Sequence, residues 1–252
     1  YTCAYYPTPD ATLDEAQENK FRLVFEKMNL KPGDKHLDVG CGWGSMVRYA
    51  ARQGVKSLGV TLSKEQAEWA QAKIKEEGLE DLAEVRFLDY RDVTETGFDG
   101  ISSIGLLEHI GVKNYASYFE FLAGKLRPGG VMVNHCITYP DNHKTPQGDF
   151  INRYIFPDGE LTGSGTIIHE MQDHGFEVFH EENIRFDYMR TLHDWCENLK
   201  ANWEEAVALV GENTAKLWGM YMAGSEWGFE HDVVELHQVV GIKLASDGSR
   251  AG

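Results

Sequence analysis

HLDVGCGWGSM, His36 to Met46, sets three glycines, Gly40, Gly42 and Gly44, between a short apolar run and an amphipathic one, SMVRYAARQG. Glycines between a strand and a helix let the backbone turn sharply and approach a ligand, and the helix N-terminus that follows favours anionic groups. A tight βα turn with no ligand would use the same residue type, but the strand-to-helix context of a binding loop is present. A dinucleotide fingerprint would place a further glycine at position 45 and an acidic residue at the end of the second strand. The chain has Ser45 and Thr61 there, which disfavours NAD.

Outward from the loop, short apolar runs alternate with amphipathic ones. SLGVT is followed by SKEQAEWAQAKIKEEG, then come EVRFL, DGISSIGLL with KNYASYFEFLAGKL, and GVMVNHCI. That βα rhythm predicts an α/β fold with a mainly parallel sheet and helices on both faces. Before it, Leu13, Ala16, Phe21, Val24, Phe25 and Met28 recur at helical spacing behind a Thr12/Glu15 capping box, which predicts a helix over residues 12–29. After residue 139 the rhythm gives way to YPDNHKTPQGDF and the aromatic FINRYIFPDGEL, as an insertion over the ligand edge of the sheet would. Helical patterns follow over 189–210 and 212–224, then a last strand, ELHQVVGIK. With no internal repeat or linker, one domain is expected: 1–30 a lid and helix, 31–138 a cofactor-binding core, 139–232 an insertion with helices, and 233–244 the last strand.

Composition removes several classes of function. Twenty-four basic against 40 acidic residues, a formal charge of −16, argue against nucleic acid, whose phosphates require Lys/Arg clusters. Cys3, Cys41, Cys136 and Cys196 lie far apart, without metal-ligand spacing, and read as free thiols of a reducing cytoplasm. No run approaches the roughly 18 apolar residues of a membrane span. The chain opens on Tyr1 rather than Met, so a longer native protein with a preceding segment is expected.

The pattern D-x-G-x-G-x-G from Asp38 to Gly44 resembles the S-adenosylmethionine (SAM) site of class I methyltransferases. With YTCAYY, LDVGCGWG, GVTLSKEQ, DYRD, GLLEHIGVKNY, FINRYIFPDGEL and YMRTLHDW in the same order, nearly the whole chain resembles the cyclopropane-fatty-acid synthase and mycolic acid cyclopropane synthase family. The resemblance implies a Rossmann-like, seven-stranded sheet with a helical, lipid-binding insertion over the active site. It implies SAM contacts from Tyr1, Thr2, Asp38, Gly40, Gly42, Gly44, Thr61, Leu62, Gln66, Asp89, Tyr90 and Arg91. Asp38 suits the α-ammonium of SAM, and the neutral Thr61 and Gln66 suit ribose hydroxyls. Ser63 also reads as an ordinary helix cap, which is compatible.

The same resemblance implies a bound bicarbonate ion as proton acceptor, touched by Cys3, Glu108, His135 and Tyr188, with the backbone of Ile137 nearby. His135 and Tyr188 can donate to such an anion and Glu108 can accept its O–H. Each has a plainer reading: a strand-end His is commonly a structural hydrogen bonder, Glu108 can serve a helix N-terminus, and Tyr188 alone reads as a buried aromatic. His109 is placed behind the site. Ser225 stands where many members of the family carry a cysteine, which removes a thiol nucleophile there. The stripe Trp195, Trp203, Leu217, Trp218, Met220, Tyr221 and Met222 reads equally as an acyl tunnel or as core.

The implied reaction is transfer of a methylene unit from SAM to the cis double bond of an unsaturated phospholipid acyl chain, giving a cyclopropane. Loss of a different proton would give a methylene-branched chain, which a reductase partner would convert to a methyl branch. A small-molecule methyltransferase and a SAM- or lipid-carrying module without turnover are the other candidates. The implied location is cytoplasmic, peripheral to the inner face of the membrane. The acidic charge opposes that location unless a preceding segment, a local basic patch or a homodimer makes the contact.

Overall fold

The computed structural model describes residues 1–143 and 148–250; residues 144–147 of the stretch after Tyr139, and 251–252, lie outside the described residues. Helix α1 (Leu13–Met28) begins at the expected capping box, in which Thr12 Oγ1 accepts from Glu15 N–H and Glu15 Oε2 accepts from Thr12 N–H. It ends at Asn29 in the left-handed region. The βα repeat then runs β1 (Lys35–Val39), α2 (Ser45–Arg52), β2 (Lys56–Thr61), α3 (Lys64–Glu76), β3 (Ala83–Phe87), β4 (Phe98–Ile104), α4 (Tyr115–Lys125) and β5 (Leu126–Thr138). Short helix α5 (Asp149–Tyr154), α6 (Ser164–Asp173), β6 (Phe176–Asn183), α7 (Arg185–Ala201), α8 (Trp203–Val210), α9 (Glu212–Glu230) and β7 (Glu235–Lys243) complete the chain.

These strands form one seven-stranded sheet in the order β3-β2-β1-β4-β5-β7-β6. It is parallel except for β7, which runs antiparallel to both its neighbours. Strand β5 is buried on both faces, and its alternation sets the layers. Met132 and Cys136 enter the core beneath α4 and α6, with Tyr118, Phe119, Ile167 and Met171. Val131 and Val133 enter the opposite core beneath α1 and α2, with Val24, Met28, Met46 and Tyr49. Each such side chain stabilises by about 1.5–3 kcal/mol when fully buried. By the same alternation His135 faces α1, and on β7 so does Gln238, in step with Val240. A third small core joins Cys3 to Ile184, Tyr188, Leu192, Phe229 and Leu236 at the strand ends.

Two expectations change. The stretch 139–232 is not one insertion: α6 and β6 belong to the sheet and its covering layer, and the inserted helices are α7 to α9. Strand β6 escaped the periodicity because it is an edge strand with a register shift between Val178 and His180. Most of its side chains are polar or exposed, so no clean alternation survives. The break at Asn202 also divides the helical pattern 189–210 into α7 and α8.

Gly44 has a structural role. It sits at φ 70° at the start of α2, and a Cβ there would lie 2.9 Å from Ala70 Cβ on α3 and 3.2 Å from Val85 Cγ2 on β3. Gly44→Ala is therefore expected to destabilise the fold by about 2 kcal/mol or more through strain and overpacking. Urea denaturation with an unchanged midpoint would contradict that assignment.

Candidate active site

The N-terminal strap is fastened at both sides. Tyr5 N–H donates to Ala16 O and Gln17 Nε2 donates to Thr2 O, which ties the strap to α1. Ala4 N–H donates to Thr191 Oγ1 and Tyr6 N–H to Asp187 Oδ1, which ties it to α7. Arg190 adds hydrogen bonds to the carbonyls of Thr8, Pro9 and Ala11. The strap thereby roofs a cleft of about 310 Å³ over the glycine loop, bordered by Tyr1, Thr2, Lys20, Asp38, Gly42 and Trp195. That size is at the lower end for small-ligand sites.

Tyr1, three-quarters exposed, lies over Gly42, where a Cβ would meet its hydroxyl at 3.4 Å. Its hydroxyl accepts from Gln66 Nε2 at 3.0 Å, and Gln66 Oε1 accepts from Thr61 Oγ1 at 3.0 Å. The expected ribose partners therefore form one chain with the strap, away from the cleft's inner wall. Leu62 is exposed beside them.

Inside the cleft two opposite charges are buried together. Asp38 accepts from Ser102 Oγ at 2.5 Å, and Ser102 is itself bonded to His36, whose other ring nitrogen meets Ser57. Burial pushes the Asp38 carboxyl up to about 7, against the opposing pull of Ser102 and Lys20. Lys20 is fully buried, donates to Thr2 Oγ1 at 2.7 Å, and is lowered by burial to about 8. A buried cation and a buried carboxyl facing one polar cleft suit a zwitterionic amino-acid end: the carboxyl for an ammonium, the ammonium for a carboxylate. This donor set and the glycine loop fit the methionine part of SAM.

Behind the cleft, at the carboxyl ends of β4 and β5, lie the other predicted residues. Glu108 is buried on a single 3₁₀ turn after β4, and its Oε1 accepts from Ile137 N–H at 2.8 Å. Among the described residues its Oε2 has no hydrogen-bond partner, and neither has Nε2 of the buried His135. Tyr188 on α7 packs its ring on Phe229 at 4.5 Å and edge-on to Trp195 at 6.1 Å. Burial raises its hydroxyl well above the usual range, reinforced by the neighbouring Tyr221, Cys3 and Glu108, so it remains a donor. Cys3 donates to Ala4 O, and burial raises its thiol well above the usual range. Cys3 is thus a neutral neighbour of this pocket, poorly suited to attack. The segment containing Phe156 covers the region: Glu160 N–H donates to Glu108 O, and Phe156 meets both His109 and Tyr221 edge-on.

The remaining expectations separate. Asp89 and Arg91 pair with each other on an exposed rim, while the Tyr90 ring packs against Tyr118 and Phe121 in the core. Gly40 lines the cleft and Gly44 does not. Of the aromatic stripe, Trp195 borders the cleft, Met222 packs with Tyr188 and Phe229, and Trp218 and Met220 are largely exposed. The sequence reading missed Lys20, although one signal was available: it stands in line with Ala16, Val24 and Met28 on the buried stripe of α1, where a lysine needs a reason.

Holding Glu108 ionised here has a measurable consequence. Burial raises it from the usual 4.5 to about 7, worth about 3 kcal/mol. A carboxyl raised in the folded state confers stability below its unfolded value that is lost as pH rises through its folded one. Relative to Glu108→Gln, the native chain should therefore lose about 3 kcal/mol between pH 4 and pH 8. Denaturant melts of both proteins at the two pH values check this, and a pH-independent difference would contradict it.

The chain matches the family model described as mycolic acid cyclopropane synthetase over residues 1–239. It is 60% identical over 249 residues to a Mycobacterium tuberculosis protein named probable fatty acid methyltransferase, covering 98% of this chain and 58% of that protein. It is 36% identical to the cyclopropane-fatty-acyl-phospholipid synthase of Escherichia coli K12, covering 99% of this chain and 64% of that one. The chain thus spans about three-fifths of the length of these relatives. The solved structure of the M. tuberculosis cyclopropane synthase MmaA2 superposes with a TM-score of 0.89 at 30% identity, covering 96% of this chain and 89% of that one. By sequence, by sheet order and by the loop that builds its cleft, the chain belongs to the mycolic acid cyclopropane synthetase family.

Proposed function

We propose that this chain transfers a one-carbon unit from SAM to the cis double bond of an unsaturated phospholipid acyl chain, closing a cyclopropane. The observation that carries the reading is the pair of buried, unpartnered polar atoms behind the cleft, Glu108 Oε2 and His135 Nε2, with the Tyr188 hydroxyl nearby. An acceptor, a donor and a second donor around one point are what a small anion bearing one proton would require. SAM supplies a methyl group on cationic sulfur, and bicarbonate supplies a proton acceptor.

The chain's residues provide the rest. Lys20 and Asp38 hold the amino-acid end, and the chain Thr61–Gln66–Tyr1 meets the sugar side. The rings of Tyr188, Phe229 and Trp195 exclude water and offer electron-rich faces to positive charge developing on the acyl chain. Glu108, as carboxylate, accepts the O–H of the anion, while His135 and Tyr188 donate to it. Transfer should accordingly quicken as pH rises through about 7.

A second reading draws on the Mycobacterium tuberculosis relative described above, which is named probable fatty acid methyltransferase. The same site can release a proton so as to leave an exocyclic alkene, giving a methylene-branched chain for a reductase to complete. In either case the lipid is met at the cytoplasmic face of the membrane. A preceding segment, a local basic patch or pairing into a homodimer would bring this acidic chain to it. Among the described residues no helix is long and apolar enough to cross a bilayer.

Incubating the full-length protein with methyl-labelled SAM and vesicles of unsaturated phospholipid, then reading the products by mass spectrometry and NMR, decides between these. A cyclopropane resonance is expected, with Glu108→Gln at least about 100-fold slower. An exocyclic alkene would select the second reading, and label confined to small molecules would overturn both.

A further inference from the structure

His135 can serve as a donor only if its proton sits on Nε2, and the ring's other nitrogen decides that. On the α1 face of the sheet, His135 of β5, Gln238 of β7 and Glu182 of β6 are direct cross-strand partners in one row. Lys27 of α1 reaches over the row: its Nζ donates to Gln238 Oε1 at 2.6 Å and to Glu182 Oε2 at 2.5 Å. A lysine ammonium has only donors, so it fixes which end of the Gln238 amide faces it. The amide nitrogen is left pointing at His135 Nδ1, 3.0 Å away. Since that nitrogen only donates, Nδ1 must accept, and the single proton of a neutral imidazole is forced onto Nε2.

We propose that Lys27 and Gln238 are positioning residues that lock His135 in the Nε2–H tautomer and so aim its one proton at the anion-binding point beside Glu108. The inference rests on the role proposed above for His135. Burial, reinforced by the charges of Lys20 and Lys27, holds the ring neutral by lowering it well below its usual value. Gln238 is itself completely buried, so water does not compete for the contact. Burial lowers the Lys27 ammonium while the Glu182 carboxylate opposes that, which keeps the row's outer end charged. The arrangement costs the fold a half-buried lysine and a fully buried amide in a position where aliphatic side chains would pack. A tautomer lock accounts for both polar groups at once.

The test is the tautomer itself, read by long-range ¹H–¹⁵N correlation on the full-length, ¹⁵N-histidine-labelled protein, with His135 assigned by its loss in His135→Asn. The wild-type ring should be neutral, with Nε2 protonated and Nδ1 bare. In Gln238→Glu a carboxylate, which only accepts, faces Nδ1, and a proton should appear there. In Lys27→Met the amide is free to turn, and a mixture is expected. Turnover of Gln238→Glu should fall at least about tenfold, with S-adenosylhomocysteine affinity, read by calorimetry, unchanged as a check on folding. A wild-type proton on Nδ1, a Gln238→Glu ring still bare there, or full turnover with the proton moved would each overturn the inference. If the wild-type protein transfers no methyl to any lipid, the proposed function fails instead, and the tautomer still decides the lock.

Discussion

The structure depends on keeping ionisable groups dry at the carboxyl ends of β4 and β5. Glu108 after β4, His135 on β5, Asp38 on β1 and Lys20 on α1 are all buried, each shifted toward its neutral form mainly by that burial. A core of aliphatic residues in the same places would be more stable. The sheet and its flanking helices supply that stability elsewhere, through the two apolar cores that β5 divides. The long, doubly buried β5 and the antiparallel insertion of β7 beside it are what bring His135 to Gln238, and the strap is what closes the site from above.

The strap shows how local chemistry becomes architecture. The segment YTCAYY carries no helix or strand signal, and it is ordered by hydrogen bonds from its backbone to α1 and α7 and by the buried Cys3 beneath it. Lys20 serves this strap through Thr2 and the cleft through its charge, so the roof over the glycine loop and the polarity inside it are coupled. The acidity of the chain is mostly a property of its outer surface; inside the cleft Lys20 faces Asp38, with Asp14 also in the lining.

Much of this was legible in the sequence because the signals were local. The glycine loop, the capping box at Thr12 and the βα rhythm each depend on residues within about a dozen positions. The site residues Glu108, His135 and Tyr188 were reached through resemblance; each is buried, and Tyr188 lies close enough to Glu108 to feel its charge. What stayed hidden depends on contacts across the fold. That α3 presses against Gly44, and that the Tyr90 ring packs among Tyr118 and Phe121, is visible only in the fold. Strand β6 lost its alternation to an exposed, shifted edge. Lys27 and Gln238 lie 211 positions apart, and nothing in either segment announces that they meet.

In the function proposed above, Glu108, His135 and Tyr188 hold a proton-accepting anion rather than acting alone. The most direct test is steady-state turnover on unsaturated phospholipid vesicles in buffer stripped of carbon dioxide, followed by titration with bicarbonate at constant pH. Turnover should collapse on stripping and return saturably with added bicarbonate. Turnover that is indifferent to bicarbonate would contradict it.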